Sequence, residues 1–230
     1  MANVDTTWLT ATGIAVDVLM LAALVIFAIT PKAGREKFLL LFLALLFSFV
    51  NDITGFIGGK LLLLNMNISY TIGLLLIYPS YILFYKRQIK SKKIGQLLQL
   101  TVFLFISFTL ANVFFIQGIV SNNSYTLSLR NFLLISISLI YFYILIKELP
   151  AESITRLPMF WINTAILIYF SGTFFQNLAA DYMVYLKSNL VATWTIKNFL
   201  GIIYYGMICA ALWLNRSIHV YNPATRGNSL

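Results

Sequence analysis

Polar residues fall in short clusters along this chain, and between the clusters the apolar residues neither alternate nor keep to one helical face. Seven stretches are apolar nearly all round: Trp8 to Thr30, Lys37 to Gly59, Ser69 to Tyr85, Ile94 to Val120, Leu127 to Ile146, Met159 to Val184 and Ala192 to Asn215. A helix needs about 20 such residues to cross ~30 Å of hydrocarbon, and an unpaired peptide group in lipid is too costly for any open structure. Strands of a membrane barrel would alternate, and runs such as Phe38 to Val50 do not. The expected fold is all-α, a polytopic seven-transmembrane-helix bundle forming one domain over residues 1–230.

Composition agrees, since 60% of the 230 residues are apolar and 10% charged, too few polar groups to cover a water-soluble surface. Short loops leave no room for a kinase, nuclease or periplasmic binding module, so any output passes through another molecule. The stretch before Trp8 carries Asp5 and no basic residue, which argues against a cleavable signal peptide and keeps the first helix in the mature protein.

The net charge of +9 is distributed unevenly. Alternating the loops between two sides puts Lys32, Arg35, Lys37, Lys86, Arg87, Lys90, Lys92, Lys93, Lys147, Arg156, Arg216 and Arg226 together, against Lys60, Arg130, Lys187 and Lys197. Basic loops stay in the cytoplasm, so the N-terminus is expected outside and the C-terminus cytoplasmic. This charge is read as a topology signal and not as a nucleic-acid surface. The Lys86 to Lys93 run can also touch anionic membrane lipids.

Punctuation follows the same frame. Pro31 closes the first helix, Pro150 and Pro158 bracket the loop before the sixth, and Pro79 lies inside the third, where a kink or hinge is expected. Gly55 and Gly59 form a small-xxx-small pair for close helix approach. Trp8, Trp161, Trp194 and Trp213 fall near membrane boundaries as an interfacial belt. Cys209 is the only cysteine and His219, expected in a short tail, the only histidine, so neither a thiolate metal site nor a catalytic triad is expected, and no cofactor.

Ionisable groups in hydrocarbon call for a partner or a purpose. Asp17 and Asp52, with Asn51, lie toward the outer ends of the first two helices. Asn112 and Gln117 fall in the outer part of the fourth, Arg130 and Asn131 open the fifth, Gln176, Asn177 and Asp181 close the sixth, and Lys197 with Asn198 enter the seventh. Such convergence predicts an outward-facing polar cavity, with Asp17, Asp52, Asn112, Arg130, Asn177, Lys197 and Asn198 as the ligand-binding candidates. The other reading stays open: Asp17 or Asp52 pairs with Lys197 or Arg130 to hold the helices in register. A retinal Schiff base is disfavoured, because Lys197 is shallow and the third helix has no acidic residue.

The stretches Phe160-Trp-Ile-Asn-Thr-Ala-Ile-Leu-Ile-Tyr-Phe-Ser-Gly-Thr-Phe-Phe175 and Trp194-Thr-Ile-Lys-Asn-Phe-Leu-Gly-Ile-Ile-Tyr-Tyr205 resemble a family of bacterial seven-helix integral membrane proteins of uncharacterised function. In that family the second stretch often reads Trp-x-Ile-His-Asn, so Lys197 stands here in place of a histidine. The resemblance covers the last third of the chain. It implies a bacterial inner (cytoplasmic) membrane protein working beside sensor histidine kinases. The functional expectation is therefore a non-enzymatic sensory or receptor-like accessory subunit, taking a small ligand from outside and signalling through a membrane partner. A small-molecule or ion transporter and an intramembrane lipid-modifying enzyme using Asp17 and Asp52 are the alternatives. The sequons at Asn67 and Asn122 bear on the protein only in a eukaryotic secretory pathway.

Overall fold

A computed structural model describes residues 7–62, 65–118, 123–148, 153–185 and 190–221, with backbone alone at 60, 61, 180, 181, 183–185, 190, 192 and 221. Pro150, Lys187, Arg226 and the sequon asparagine Asn122 lie outside these residues, as do the side chains of Lys60 and Asp181.

Seven long helices follow one another: α1 (Thr7–Ala28), α2 (Lys32–Gly55), α3 (Asn67–Gln88), α4 (Lys92–Ala111), α5 (Ser124–Glu148), α6 (Pro158–Tyr185) and α7 (Leu190–Tyr221). Each is long and apolar enough to cross a membrane, and there is no strand among the described residues. Two helices finish in π-helical turns, Phe56–Leu61 after α2 and Asn112–Ile116 after α4. A short 3-10 turn, Ile154–Arg156, precedes α6.

Local chemistry sets these boundaries. Pro31 separates α1 from α2, and its carbonyl accepts the first bonds of the new helix from Gly34 N and Arg35 N, both at 3.0 Å. Pro158 is the first residue of α6, a position where its missing N–H costs nothing. Pro79 is carried within a continuous α3, and beside it Ser80 Oγ donates to Leu76 O at 2.8 Å. Thr30, Ser48, Thr54, Thr109, Thr164, Thr173 and Thr195 likewise donate to the carbonyl four residues back. In a medium with no water, a hydroxyl is satisfied most cheaply by its own helix. α7 runs to Tyr221, so His219 sits in its last turn and not in a tail.

The helices group into two compact units. The first gathers the described residues of Met1–Lys37, Leu134–Thr173 and Met183–Leu230. Within it α1 and α7 run side by side in the same direction. Asn198 Nδ2 donates to Leu9 O at 3.2 Å and Thr12 Oγ1 at 3.1 Å, Gly201 lies against Val16, Cys209 Sγ reaches Leu19 O at 3.4 Å, and Asn215 Nδ2 donates to Gly34 O at 3.1 Å. Small residues make this closeness possible, as is usual where lipid offers no hydrophobic drive between helices. A Cβ on Gly34 would sit within 3.0 Å of Thr30, Asn215 and His219. The α5 and α6 segments of this unit are joined by buried Ser138 and Asn163. Ser138 Oγ donates to Asn163 Oδ1 at 2.9 Å and Asn163 Nδ2 to Ser138 O at 3.0 Å. Met20, Phe27, Ile162, Ile166, Ile208 and Ala211 are among its buried residues.

The second unit gathers the described residues of Phe38–Leu133 and Phe174–Tyr182. Its aromatic core pairs Tyr78 with Phe105 at 4.2 Å between ring centroids and Phe38 with Phe84 at 6.0 Å. The end of α2 meets the start of α3: Asn51 lies against Gly73, Thr54 Oγ1 is 3.4 Å from Ser69 Oγ, and the Tyr70 hydroxyl rests on Gly55, where it leaves no room for a Cβ. The close-approach glycines here are Gly55 and Gly58, the latter against Met66 Sδ, and not the Gly55 and Gly59 of the spacing motif. Gly59 has only ordinary contact, at 3.8 Å.

Candidate functional site

The densest polar cluster lies in the second unit, where α4 ends, α5 begins and α3 begins. Asn112 opens the π-helical turn and is fully buried. Its Nδ2 donates to Gln117 Oε1 at 2.8 Å and to Thr126 Oγ1 at 3.1 Å. Gln117 Nε2 donates to Ser124 Oγ at 2.7 Å, and Gln117 Oε1 also accepts from the backbone N–H of Tyr125 at 3.2 Å. Beside them Asn123, in the left-handed region at φ 48°, donates through Nδ2 to Thr71 Oγ1.

The orientation of these amides follows from a group that can only donate. Tyr125 N–H fixes the oxygen of Gln117, and that oxygen in turn requires the nitrogen of Asn112 to face it. Asn112 Oδ1 is then turned away, buried, with no donor among the described residues, and Asn123 Oδ1 is in the same condition. A buried acceptor without a partner costs about 1–3 kcal/mol, which makes these two oxygens the least satisfied polar atoms of the cluster.

The π-helical turn supplies the second ingredient. Gln117 N donates to Asn112 O at 2.8 Å, a bond spanning five residues where a regular α-helix spans four. Changing that bond by one residue would rotate everything after Asn112, including Gln117.

The seven candidates from the sequence fare differently. Asn112 anchors the cluster just described. Asp52, in the same unit, is exposed on α2 and acts electrostatically on Tyr70. Arg130 is half-buried and donates through Nε and Nη2 to its neighbour Asn131 Oδ1, at 3.2 and 3.0 Å. Asn177 is half-buried on the part of α6 belonging to this unit.

Asp17, Lys197 and Asn198 belong to the first unit. Asn198 is committed to α1 through its two donated bonds, and Lys197 Nζ sits 4.7 Å from the Trp194 ring centroid, an i, i+3 cation–π pair. Asp17 forms no hydrogen bond or ion pair with any described residue of its unit, so the expected pairing with Lys197 is not formed at this carboxylate.

Ser124, Thr126, Asn123 and Thr71 were not anticipated. Ser124 and Thr126 sit two residues apart at the start of α5, and that spacing beside an amide-bearing helix end is the one signal that could have drawn attention to them. Comparisons with protein-family models, with curated proteins and with solved structures return no match, so the functional reading rests on the geometry of the chain itself.

Proposed function

We propose that the protein is a membrane-embedded sensory or receptor-like accessory subunit, which binds a small ligand at the Asn112 cluster and signals through a membrane partner. The observation that carries this reading is the buried Asn112 Oδ1, which has no donor among the described residues, at the head of a π-helical turn. A ligand offering a hydroxyl, amide or ammonium donor would satisfy that oxygen. Because the same residue's carbonyl sets the pitch of the turn, a ligand that prefers one register over the other shifts the equilibrium between them. Rotation of Gln117 then carries the change into α5 through Ser124 and the Tyr125 amide. The resemblance of residues 160–175 and 194–205 to bacterial seven-helix proteins points to a sensor kinase as the class of partner, and to a bacterial cytoplasmic membrane as the location.

Native mass spectrometry of protein released gently from its own membrane tests this. A retained small molecule that is present on the natural chain and lost from Asn112→Leu is the expected result. The reading fails if no adduct is retained, or if the adduct survives the substitution.

A further inference from the structure

Asp17 occupies the middle of α1, ten residues after Thr7 and eleven before Ala28, so it lies about 15 Å from either end of the helix. It is exposed, and it stands on an exposed stripe made by Thr10, Ile14, Asp17, Leu21, Val25 and Ala28. Ile14, Leu21 and Val25 are 58%, 48% and 51% exposed. Each step along this stripe is three or four residues, a spacing that lets a second helix interdigitate at a shallow crossing angle. The opposite face of α1 is already taken, with Met20, Ala23 and Phe27 buried and α7 held by Asn198 and Cys209.

We infer that this stripe is the docking surface for a transmembrane helix of another protein, one carrying a lysine or arginine at mid-membrane depth that pairs with Asp17. Carboxylates at this depth are matched by a cation or lose their charge, and none of the described residues of its unit supplies the cation. A second copy of this chain is a poor match. Copies inserted in one orientation are related by an axis along the membrane normal, so residues at equal depth meet and Asp17 would face Asp17. Lys197 of another copy lies too shallow, because its neighbour Asn198 is level with Leu9 to Thr12. The inference deepens the reading of this chain as one subunit of a membrane assembly and rests on it only for the existence of a partner.

The test uses the full chain, labelled with a fluorescent donor and reconstituted in phosphatidylcholine vesicles. The probe is an acceptor-labelled leucine-rich 21-residue helix with one central lysine, compared with the same helix carrying leucine there. The lysine helix is expected to associate about three- to tenfold more tightly. That preference disappears in Asp17→Asn and is kept in Asp17→Glu and Asp52→Asn. A photo-crosslinker at position 21 captures the lysine helix, whereas one at position 103, on the exposed face of α4, does not.

Equal association of the two helices with the natural chain overturns the inference, and so does a preference that survives Asp17→Asn. Crosslinks at position 21 that join two copies of the chain also overturn it, in favour of a homodimer. The Asn112-dependent adduct reports on the ligand reading separately. Its persistence in Asp17→Asn shows that the variant is folded, and its absence with the lysine preference intact defeats the ligand reading alone.

Discussion

Two buried asparagines in this protein should respond unequally to the same substitution. Asn163 and Asn112 are both fully buried; the Asn112 side chain donates two hydrogen bonds, and the Asn163 side chain donates one and accepts one. At Asn163 both ends of the amide are matched by Ser138, so Asn163→Leu removes two good bonds. Bonds of this kind between membrane helices average about 0.6 kcal/mol and reach about 1.7, giving an expected loss of about 1–3 kcal/mol. Asn112→Leu also removes two bonds, but it deletes an acceptor that has no donor among the described residues, and such an atom costs about 1–3 kcal/mol in the folded state. The two effects oppose each other, so Asn112→Leu should lie within about 1 kcal/mol of the natural protein or be slightly more stable. Reversible unfolding by sodium dodecyl sulfate in mixed micelles, followed by loss of helical circular dichroism, measures both variants on one scale. A loss at position 112 equal to that at position 163 would refute the reasoning, since it would mean that Asn112 Oδ1 is satisfied in the folded protein. Stability retained together with loss of the retained small molecule would be the signature of a residue kept for binding.

Other consequences of the packing are open to direct measurement. Val16 Cβ lies 3.9 Å from the position of a Cβ on Gly201, inside the range that a disulfide spans, so Val16→Cys with Gly201→Cys, in a Cys209→Ser background, should oxidise to a cross-link that holds the fragments together on a gel after cleavage in a loop. Gly34→Ala should lower the melting temperature, because the new methyl group meets three side chains at 3.0 Å or less and such overpacking costs about 1–3 kcal/mol. Gly206→Ala, where nothing lies within 4 Å, should leave stability unchanged or raise it by up to about 1 kcal/mol. The positive-inside expectation predicts that a cysteine at position 91, in the Lys86 to Lys93 region, is labelled by an impermeant maleimide only after the cells are opened.

The number and placement of the helices were legible in the sequence because hydrocarbon imposes a length and an apolar character that each run must meet alone. Every predicted run corresponds to one helix, with ends displaced by a few residues, as at Ser69 against Asn67 and Asn215 against Tyr221. The π-helical turns were not legible. A turn with one extra residue is chosen by what packs around it, and Asn112-Val-Phe-Phe-Ile116 carries no local signal that separates it from an ordinary helix end.

The site was legible only in part, for a related reason. Depth along a helix can be counted from the sequence, and Asn112 and Gln117 were placed together on that basis. Direction around the helix in a segment apolar on all sides cannot be counted, because no amphipathic stripe fixes it. Asp17 was therefore expected in a shared cavity and lies on an exposed face, while Asn198 was expected there and bonds to α1.

The pairing of α1 with α7 has a consequence for how the protein is made. The two helices are separated by the 162 positions from Ala28 to Leu190, which a ribosome adding about 5–20 residues per second takes roughly ten to thirty seconds to synthesise. For that interval α1 is in the membrane without the neighbour that bonds to the Leu9 and Leu19 carbonyls and packs on Val16, and with the Asp17 carboxylate already inserted. Membrane insertion of this chain is thus ordered in time. The first helix waits for the last, and whatever shelters its charged position during the wait, insertion machinery or a partner helix, has the first opportunity to bind it.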